Sequence, residues 1–166
     1  MEENLGKQYF RGKKTIELGS GTGLVGFCAS LMGAEVTLSD KFDTMDLLNK
    51  NVEANKGVKV KVADYSWGTP ADALEKPYDV IVGSELIYNG RLYNILVTSL
   101  DLISDKGTEF VMSFERRATE DTFMEMIKEK WETIQVKTTF SRLHSFLYFS
   151  IILSSSISLS SKGFMT

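Results

Sequence analysis

The chain has 166 residues, of which 43% are hydrophobic and 25% charged, the proportions of a soluble globular protein with one domain and a sizeable core. Its formal net charge of −3 excludes a strongly basic surface and argues against broad binding to a nucleic-acid backbone. A protein or small-molecule partner is easier to accommodate, so no nucleic-acid partner is predicted.

The first predicted strand, Thr15 to Leu18, runs directly into a glycine-rich turn. This part of the chain reads Ile16-Glu-Leu-Gly-Ser-Gly-Thr-Gly-Leu-Val-Gly26. Glycines can adopt positive φ angles, and the N–H groups at the start of the next helix lack partners within that helix. The turn therefore predicts a nucleotide-type cofactor site that faces an anionic group of its ligand. Its predicted cofactor-binding residues are Gly19, Ser20, Gly21 and Gly23.

Two acidic residues indicate which ligand the turn binds. The spacing of Gly21, Gly23 and Gly26 also satisfies GxGxxG, so a nicotinamide enzyme is an alternative. However, Glu17 lies within the strand, where a ligand ammonium group would gain from a carboxylate and a dinucleotide would not. Asp40, at the end of the second strand, can accept hydrogen bonds from both hydroxyls of a ribose. These features together fit a ligand with an ammonium group, a carboxylate and a ribose. S-adenosylmethionine has all three groups and is the predicted cofactor.

The helix that follows the turn is predicted near Thr22 to Met32. It is apolar almost all round, so we expect it to be buried against the sheet. It contains Cys28, the only cysteine, which excludes a disulfide within the chain and is expected to pack in the core. The only histidine, His144, is assigned no chemistry, and no metal site is predicted.

The second and third strands are predicted at Val36 to Ser39 and around Val58 to Val62, with a helix near Thr44 to Asn55 between them. Asp64 and Trp67 follow the third strand. Trp67 is suited to stack on a purine, and Asp64 to accept a hydrogen bond from an adenine amino group. An alternative interpretation of Trp67 is that it packs in the core. An alternative interpretation of Asp40 is that it caps the N-terminus of the next helix.

The fourth strand, Tyr78 to Gly83, is continuously apolar, as is typical of a central parallel strand. The fifth strand is predicted at Glu109 to Phe114, and the helices on either side of it carry apolar stripes that we expect to be core. The second of these helices is predicted to be capped by Thr119. The stripe residues are Leu92, Ile95, Leu96, Leu100 and Ile103 in the first helix, and Phe123, Met126, Ile127 and Trp131 in the second.

Chemistry is expected directly after the fourth strand, because ligands of open parallel sheets bind at the carboxyl ends of the strands. Ser84 is predicted to contact the cofactor, and Glu85 and Tyr88 to flank its reactive end. A carboxylate beside an aromatic ring suits a lysine ammonium group, through charge pairing and cation–π contact, until that group loses its proton. Loop packing of Glu85 and Tyr88 is the alternative interpretation.

The end of the chain allows two interpretations. Ile134 to Thr138 and Phe146 to Leu153 could form an antiparallel strand pair that completes the sheet, or everything beyond about Phe140 could lie outside the fold. Composition does not separate the two. We place the domain at residues 1–153 and expect the serine-rich residues 154–166 to be disordered.

The start of the chain predicts no secretory signal, and no segment is long and apolar enough to span a bilayer. We therefore expect a protein of the cytoplasm, and also of the nucleus, with no membrane partner. We also expect it to be a monomer.

Four segments together resemble one family. They are Ile16 to Gly26, Asn51-Val-Glu-Ala-Asn55, Ser66-Trp-Gly68 and Tyr78-Asp-Val-Ile-Val-Gly-Ser-Glu-Leu-Ile-Tyr88. They look like the seven-β-strand protein lysine methyltransferases of the methyltransferase-16 type, and the resemblance covers residues 14 to about 131. It implies a Rossmann-like sheet of seven strands with helices on both faces, S-adenosylmethionine as the cofactor, and a protein substrate.

The resemblance also assigns roles to individual residues. Glu85 and Tyr88 would be the catalytic residues that face the substrate lysine. The residues that would hold S-adenosylmethionine are Glu17, Gly19, Gly21, Asp40 and Trp67. Alternative functions are a catalytically inactive protein that binds S-adenosylmethionine, and a methyltransferase acting on a small molecule or a nucleic acid. A nucleic-acid amino-group methyltransferase ordinarily carries two prolines within positions 85 to 88, and this chain has none there.

Overall fold

Strands and helices alternate along the chain in the computed structural model, which describes residues 8–115, 120–128, 130–139 and 146–153. The strands are β1 (Lys14–Leu18), β2 (Glu35–Asp40), β3 (Val60–Asp64), β4 (Val80–Ser84), β5 (Glu109–Glu115), β6 (Glu132–Thr139) and β7 (Phe146–Leu153). The α-helices are α1 (Leu24–Leu31), α2 (Met45–Ala54), α3 (Tyr93–Ile103) and α4 (Glu120–Lys128). Two short 3₁₀ helices, Phe42–Thr44 and Gly90–Leu92, precede α2 and α3.

The strands form a seven-stranded sheet in the order β3-β2-β1-β4-β5-β7-β6. Strands β1 to β5 are parallel to one another, whereas β7 is antiparallel to both β5 and β6. The strand order reverses at β1, which has β2 on one side and β4 on the other. A crevice suited to a ligand opens at the carboxyl ends of the strands at such a reversal.

Successive side chains of a strand point to opposite faces, and this alternation builds two hydrophobic clusters. On one face, Val36 and Leu38 of β2 pack with Phe27 of α1 and Leu48 of α2. On the other face, β1, β4 and β5 pack against α3 and α4, and the members include Ile16, Ile81, Phe110, Leu96 and Phe123. Helices therefore cover both faces of the sheet, as predicted.

Helix α1 is less buried than its composition suggests. Leu24 and Leu31 are 67% and 66% exposed, and Cys28 between them is also exposed. The helix packs against the sheet, as predicted, but the expectation that Cys28 lies in the core is wrong. The helix touches the sheet along one face only, through Gly26, Phe27 and Ala29, and composition does not show which face that is.

The predicted strand pair near the end of the chain is present in the structure. β7 lies between β5 and β6 and is antiparallel to both, so Phe146–Leu153 pairs with the rest of the sheet. Trp131 is buried but lies beyond α4, which ends at Lys128 rather than continuing to Trp131. Thr119, His144 and residues 154–166 lie outside the described residues, so the expectations about them stay predictions. Within the described part of the chain, no helix is long and apolar enough to cross a membrane.

Gly26 sets how closely α1 approaches the sheet. A Cβ at this position would overlap Leu38 Cδ2 and lie 2.8 Å from Glu17 Oε2. Alanine normally stabilises a helix by about 1 kcal/mol relative to glycine, but overpacking costs about 1–3 kcal/mol and a helix packed on two strands cannot easily move away.

We therefore expect Gly26→Ala to lower the free energy of unfolding by up to about 2 kcal/mol, the overpacking cost less the gain in helix propensity, measured by urea titration. Gly57→Ala is the matched control, because a Cβ there would meet nothing within 4 Å. The control should change stability by less than about 0.5 kcal/mol. A Gly26→Ala variant as stable as wild type would show that α1 is not held at this distance.

Candidate functional site

A cavity of about 420 Å³ opens at the carboxyl ends of β1, β2 and β4, where the strand order reverses. This volume is within the range of small-molecule sites, about 300–1,000 Å³. The predicted site residues that line it are Gly19, Asp40, Trp67, Ser84, Glu85 and Tyr88. Residues from the ends of four strands, β1 to β4, therefore meet around one space, although their roles toward a ligand stay predictions.

The glycine turn has the backbone conformation predicted for it. Gly19, Gly21 and Gly23 have φ angles of 59°, 53° and 84°, in the left-handed region that favours glycine. Ser20, between them, is buried, and its hydroxyl donates to the Glu17 carbonyl at 3.1 Å and accepts from the Ser39 N–H at 2.9 Å. Ser20 thus ties the turn to β2 and does not line the cavity, and its contact with a cofactor stays a prediction.

Glu17 also points into the protein rather than into the cavity. Its register partner is Leu38, whose side chain packs on the α1 face of the sheet, so Glu17 points beneath that helix. There its Oε2 accepts a hydrogen bond from the Gly26 N–H at 2.9 Å. The carboxylate satisfies a helix N-terminal N–H that has no partner within the helix. The sequence placed this acid correctly in the strand but did not show which side of the sheet it faces.

Burial makes the Glu17 carboxyl unusually weak as an acid. Its pKa is raised from 4.5 to about 7, chiefly because burial disfavours the charged form. Hydrogen bonds from Ser20 and from the N–H groups of Gly26 and Val25 oppose this rise, and the nearby charge of Asp40 adds to it.

Asp40 connects the glycine turn to the cavity. Its Oδ2 accepts from the Gly21 N–H at 2.7 Å and its Oδ1 accepts from the Lys41 N–H at 2.8 Å. Each carboxylate oxygen can accept a second hydrogen bond, so the group remains able to bind ligand hydroxyls. Asp64 pairs in register with Asp40 at the end of the edge strand β3, but it is exposed and does not line the cavity.

Trp67 and Gly19 form one wall of the cavity. A Cβ at Gly19 would lie 3.2 Å from Trp67 Cζ2 and 3.1 Å from Leu86 Cδ2, so both side chains approach the bare backbone of the turn. Trp67 is half-buried and also packs against the core cluster of α3 and α4. The two interpretations of Trp67 are therefore compatible: one part of the ring packs in the core while the residue lines the cavity.

Glu85 and Tyr88 lie in the turn after β4 and line the same cavity. Glu85 has a φ of 55°, which is uncommon for a residue other than glycine, and its N–H donates to the Ser113 carbonyl at 2.8 Å. Tyr88 is 60% exposed at the rim. Beside them, Ser84 Oγ accepts a hydrogen bond from Ser113 Oγ at 3.1 Å. Glu85 and Tyr88 are thus brought to one side of the cavity by a turn whose first residue, Glu85, has a left-handed backbone.

The sequence did not assign several residues that line the cavity. They are Lys41, Tyr65, Ser66, Leu86, Leu92 and Ile95. Leu92 and Ile95 were expected to be core, and this was wrong: Ile95 is 40% exposed and both line the cavity. They precede or begin α3, at the end of the helix beside the carboxyl ends of the strands. A crossover helix always starts at that edge, and this was a signal in the sequence that could have identified them.

Comparison with known proteins agrees with this geometry. A family model described as lysine methyltransferase matches residues 1–130. The chain is 32% identical over 138 residues to protein N-lysine methyltransferase METTL21A of Danio rerio, an alignment covering 80% of this chain and 63% of that protein. It is 35% identical over 115 residues to EEF1A lysine methyltransferase 3 of Xenopus tropicalis, covering 68% of this chain and 51% of that protein. The chain thus spans 51–63% of the length of these two relatives.

Solved structures share the fold at low sequence identity. Ribosomal protein L11 methylase of Lactobacillus delbrueckii subsp. bulgaricus superposes with a TM-score of 0.68 at 18% identity, over 91% of this chain and 76% of that one. Magnesium protoporphyrin IX methyltransferase of Synechocystis superposes with a TM-score of 0.69 at 13% identity, over 92% of this chain and 76% of that one. These likenesses establish the fold class predicted from the sequence.

The raised pKa of Glu17 predicts how stability depends on pH. Between about pH 5 and pH 7 the folded protein retains a proton that the unfolded chain has released, so stability must fall as pH rises. Glu17→Gln stays uncharged and keeps an oxygen for the Gly26 N–H. Relative to this variant, wild type should lose about 3 kcal/mol between about pH 5 and pH 8. Urea unfolding of both proteins across this range measures the loss, and a difference that does not change with pH would contradict the prediction.

Proposed function

Because the chain belongs to the lysine methyltransferase family, whose model matches residues 1–130, we propose that it is a methyltransferase that uses S-adenosylmethionine to methylate a lysine side chain of a protein. The observation that carries the proposal is the single cavity described above. It joins the glycine turn, Asp40 and Trp67 to Glu85 and Tyr88. One side of the space is thus suited to hold a nucleoside, and the other to receive an amine.

The residues present fit this cofactor. Gly19 brings bare backbone to the wall of the cavity, where a Cβ would lie only 3.1–3.2 Å from Leu86 and Trp67. Asp40 would accept hydrogen bonds from the ribose hydroxyls while it keeps the Gly21 N–H in place. Trp67 would pack against the purine. The apolar side chains of Leu92 and Ile95 would exclude water from the same space.

The acceptor side of the cavity suits a lysine. Bound in the cavity, S-adenosylmethionine would supply an electrophilic methyl group, and the protein's task is to aim the amine, remove its proton and exclude water. Glu85 would attract the lysine ammonium group by charge and then accept its proton as a general base, which leaves the nitrogen lone pair free to attack. Tyr88 would hold the amine over its ring at the cavity rim.

The methyl acceptor that we propose is a lysine of a protein. The two relatives are named for protein lysines, and one of those names specifies EEF1A. The expectation of a cytoplasmic and nuclear monomer without nucleic-acid or membrane partners stays a prediction from the sequence.

The role of Asp40 in cofactor binding can be tested by Asp40→Ala. The variant removes the charged acceptor for the ribose, and it should lose about 1.5–3 kcal/mol of binding free energy for S-adenosylmethionine in calorimetric titration. Asp43→Ala is the matched control, because Asp43 is an exposed carboxylate 3.7 Å from Lys41 Nζ and does not line the cavity. Affinity should be unchanged in the control. Unchanged affinity in Asp40→Ala would refute the assignment.

The role of Glu85 in the transfer step can be tested by Glu85→Gln, which keeps the size of the side chain and removes its charge. Cofactor affinity should change little, while the single-turnover rate should fall by at least about a hundredfold. The assay uses radiolabelled cofactor and whichever protein of a cell extract wild type labels, with mass mapping of the modified residue. Tyr88→Phe should be milder if the ring acts through its face, and comparable if its hydroxyl orients the amine. Full activity of Glu85→Gln, or label on RNA, would contradict the proposal.

A further inference from the structure

Asn51 lies on α2 but reaches across to the glycine turn. Its Nδ2 donates to the main-chain oxygen of Thr22 at 3.0 Å, over a separation of 29 residues. Asn51 is half-buried and does not line the cavity, so it does not contact the space proposed for the cofactor. The contact is nevertheless made to the turn on which cofactor binding depends.

The peptide group between Thr22 and Gly23 is held at both ends. Its carbonyl accepts from Asn51, and its N–H, on Gly23, donates to the Ser20 carbonyl at 2.7 Å. Gly23 has a φ of 84° and no Cβ, so the chain itself gives little resistance to rotation of this peptide. A rotated peptide would break the hydrogen bond from the Gly23 N–H to the Ser20 carbonyl and direct the Thr22 carbonyl toward that oxygen, so the turn would lose its closed form. An anionic ligand group is stabilised by N–H groups and repelled by a carbonyl.

The geometry points to Asn51 as a positioning residue for the cofactor. It holds the Thr22–Gly23 peptide and so the closed form of the glycine turn, which the sequence predicts to face the carboxylate of S-adenosylmethionine. This inference rests on the proposed function and extends it to a residue outside the cavity. Its effect is confined to the amino-acid end of the ligand, because the adenosine end is assigned to Asp40 and Trp67.

Asn55, which directly follows the last residue of α2, provides a matched control. Its Nδ2 donates to the Asn51 main-chain oxygen at 2.7 Å, at the end of α2, and this side-chain contact does not involve the turn. Alanine has a higher helix propensity than asparagine, so neither Asn51→Ala nor Asn55→Ala weakens the helix itself. Urea unfolding without ligand verifies that both variants remain folded.

The experiment measures the affinity of wild type and both variants for two ligands by calorimetry. S-adenosylhomocysteine carries the ammonium and carboxylate groups, whereas 5′-methylthioadenosine lacks both. Asn51→Ala should weaken binding of S-adenosylhomocysteine roughly tenfold, as expected for loss of one positioning hydrogen bond, and change 5′-methylthioadenosine affinity less than about twofold. Asn55→Ala should leave both affinities unchanged.

Three results would overturn the inference, and they differ from failure of the proposed function. Undiminished S-adenosylhomocysteine affinity in Asn51→Ala would show that the turn needs no support from α2. Equal weakening of both ligands would indicate a general loosening of the cavity, and so would the same loss in Asn55→Ala. If wild type itself bound neither ligand, the proposed function would fail together with the inference.

Discussion

One hydrogen bond to a buried carboxylate holds the strand, the turn and the helix of the site together. Glu17 lies in the central strand β1, and its Oε2 accepts the N–H of Gly26 in the first turn of α1. Both ends of the glycine turn are therefore attached to the same internal group. The absence of a side chain at Gly26 allows the close approach that this bond requires. The energetic cost of burying this carboxylate is reflected in the pKa of Glu17, which burial raises to about 7.

The cavity follows from where the turn sits in the sheet. Because β2 and β4 lie on either side of β1, the residues after these strands converge on Gly19. Asp40 comes from one side, and Ser84 with Glu85 from the other. A methyl donor and a methyl acceptor must meet in line, and a reversal of strand order brings two unrelated segments to that distance. The strand topology thus joins residues proposed to bind a nucleoside and residues proposed to receive an amine, which are far apart along the chain.

Several features around the cavity are unfavourable for folding alone. Glu85 has a left-handed backbone, and the aromatic ring of Tyr88 is largely exposed. The hydroxyl of Tyr65, which also lines the cavity, is buried without a hydrogen-bond partner in the described part of the chain. Strain, exposed apolar surface and unsatisfied polar groups concentrate at functional sites because binding, rather than stability, maintains them. Their grouping around one space agrees with a site selected for its ligands.

Sequence by itself determined the order of the elements, the positive φ angles of the glycine turn, and the placement of Asp40, Trp67, Glu85 and Tyr88 at strand ends, because periodicity and turn chemistry are local properties. Only the tertiary structure decided which faces these elements present. It placed the side chains of Glu17 and Ser20 inside the protein, left Cys28 exposed, and turned Leu92 and Ile95 toward the cavity. Those outcomes depend on which strand or helix lies opposite each residue, and contacts between elements distant in sequence leave no local pattern.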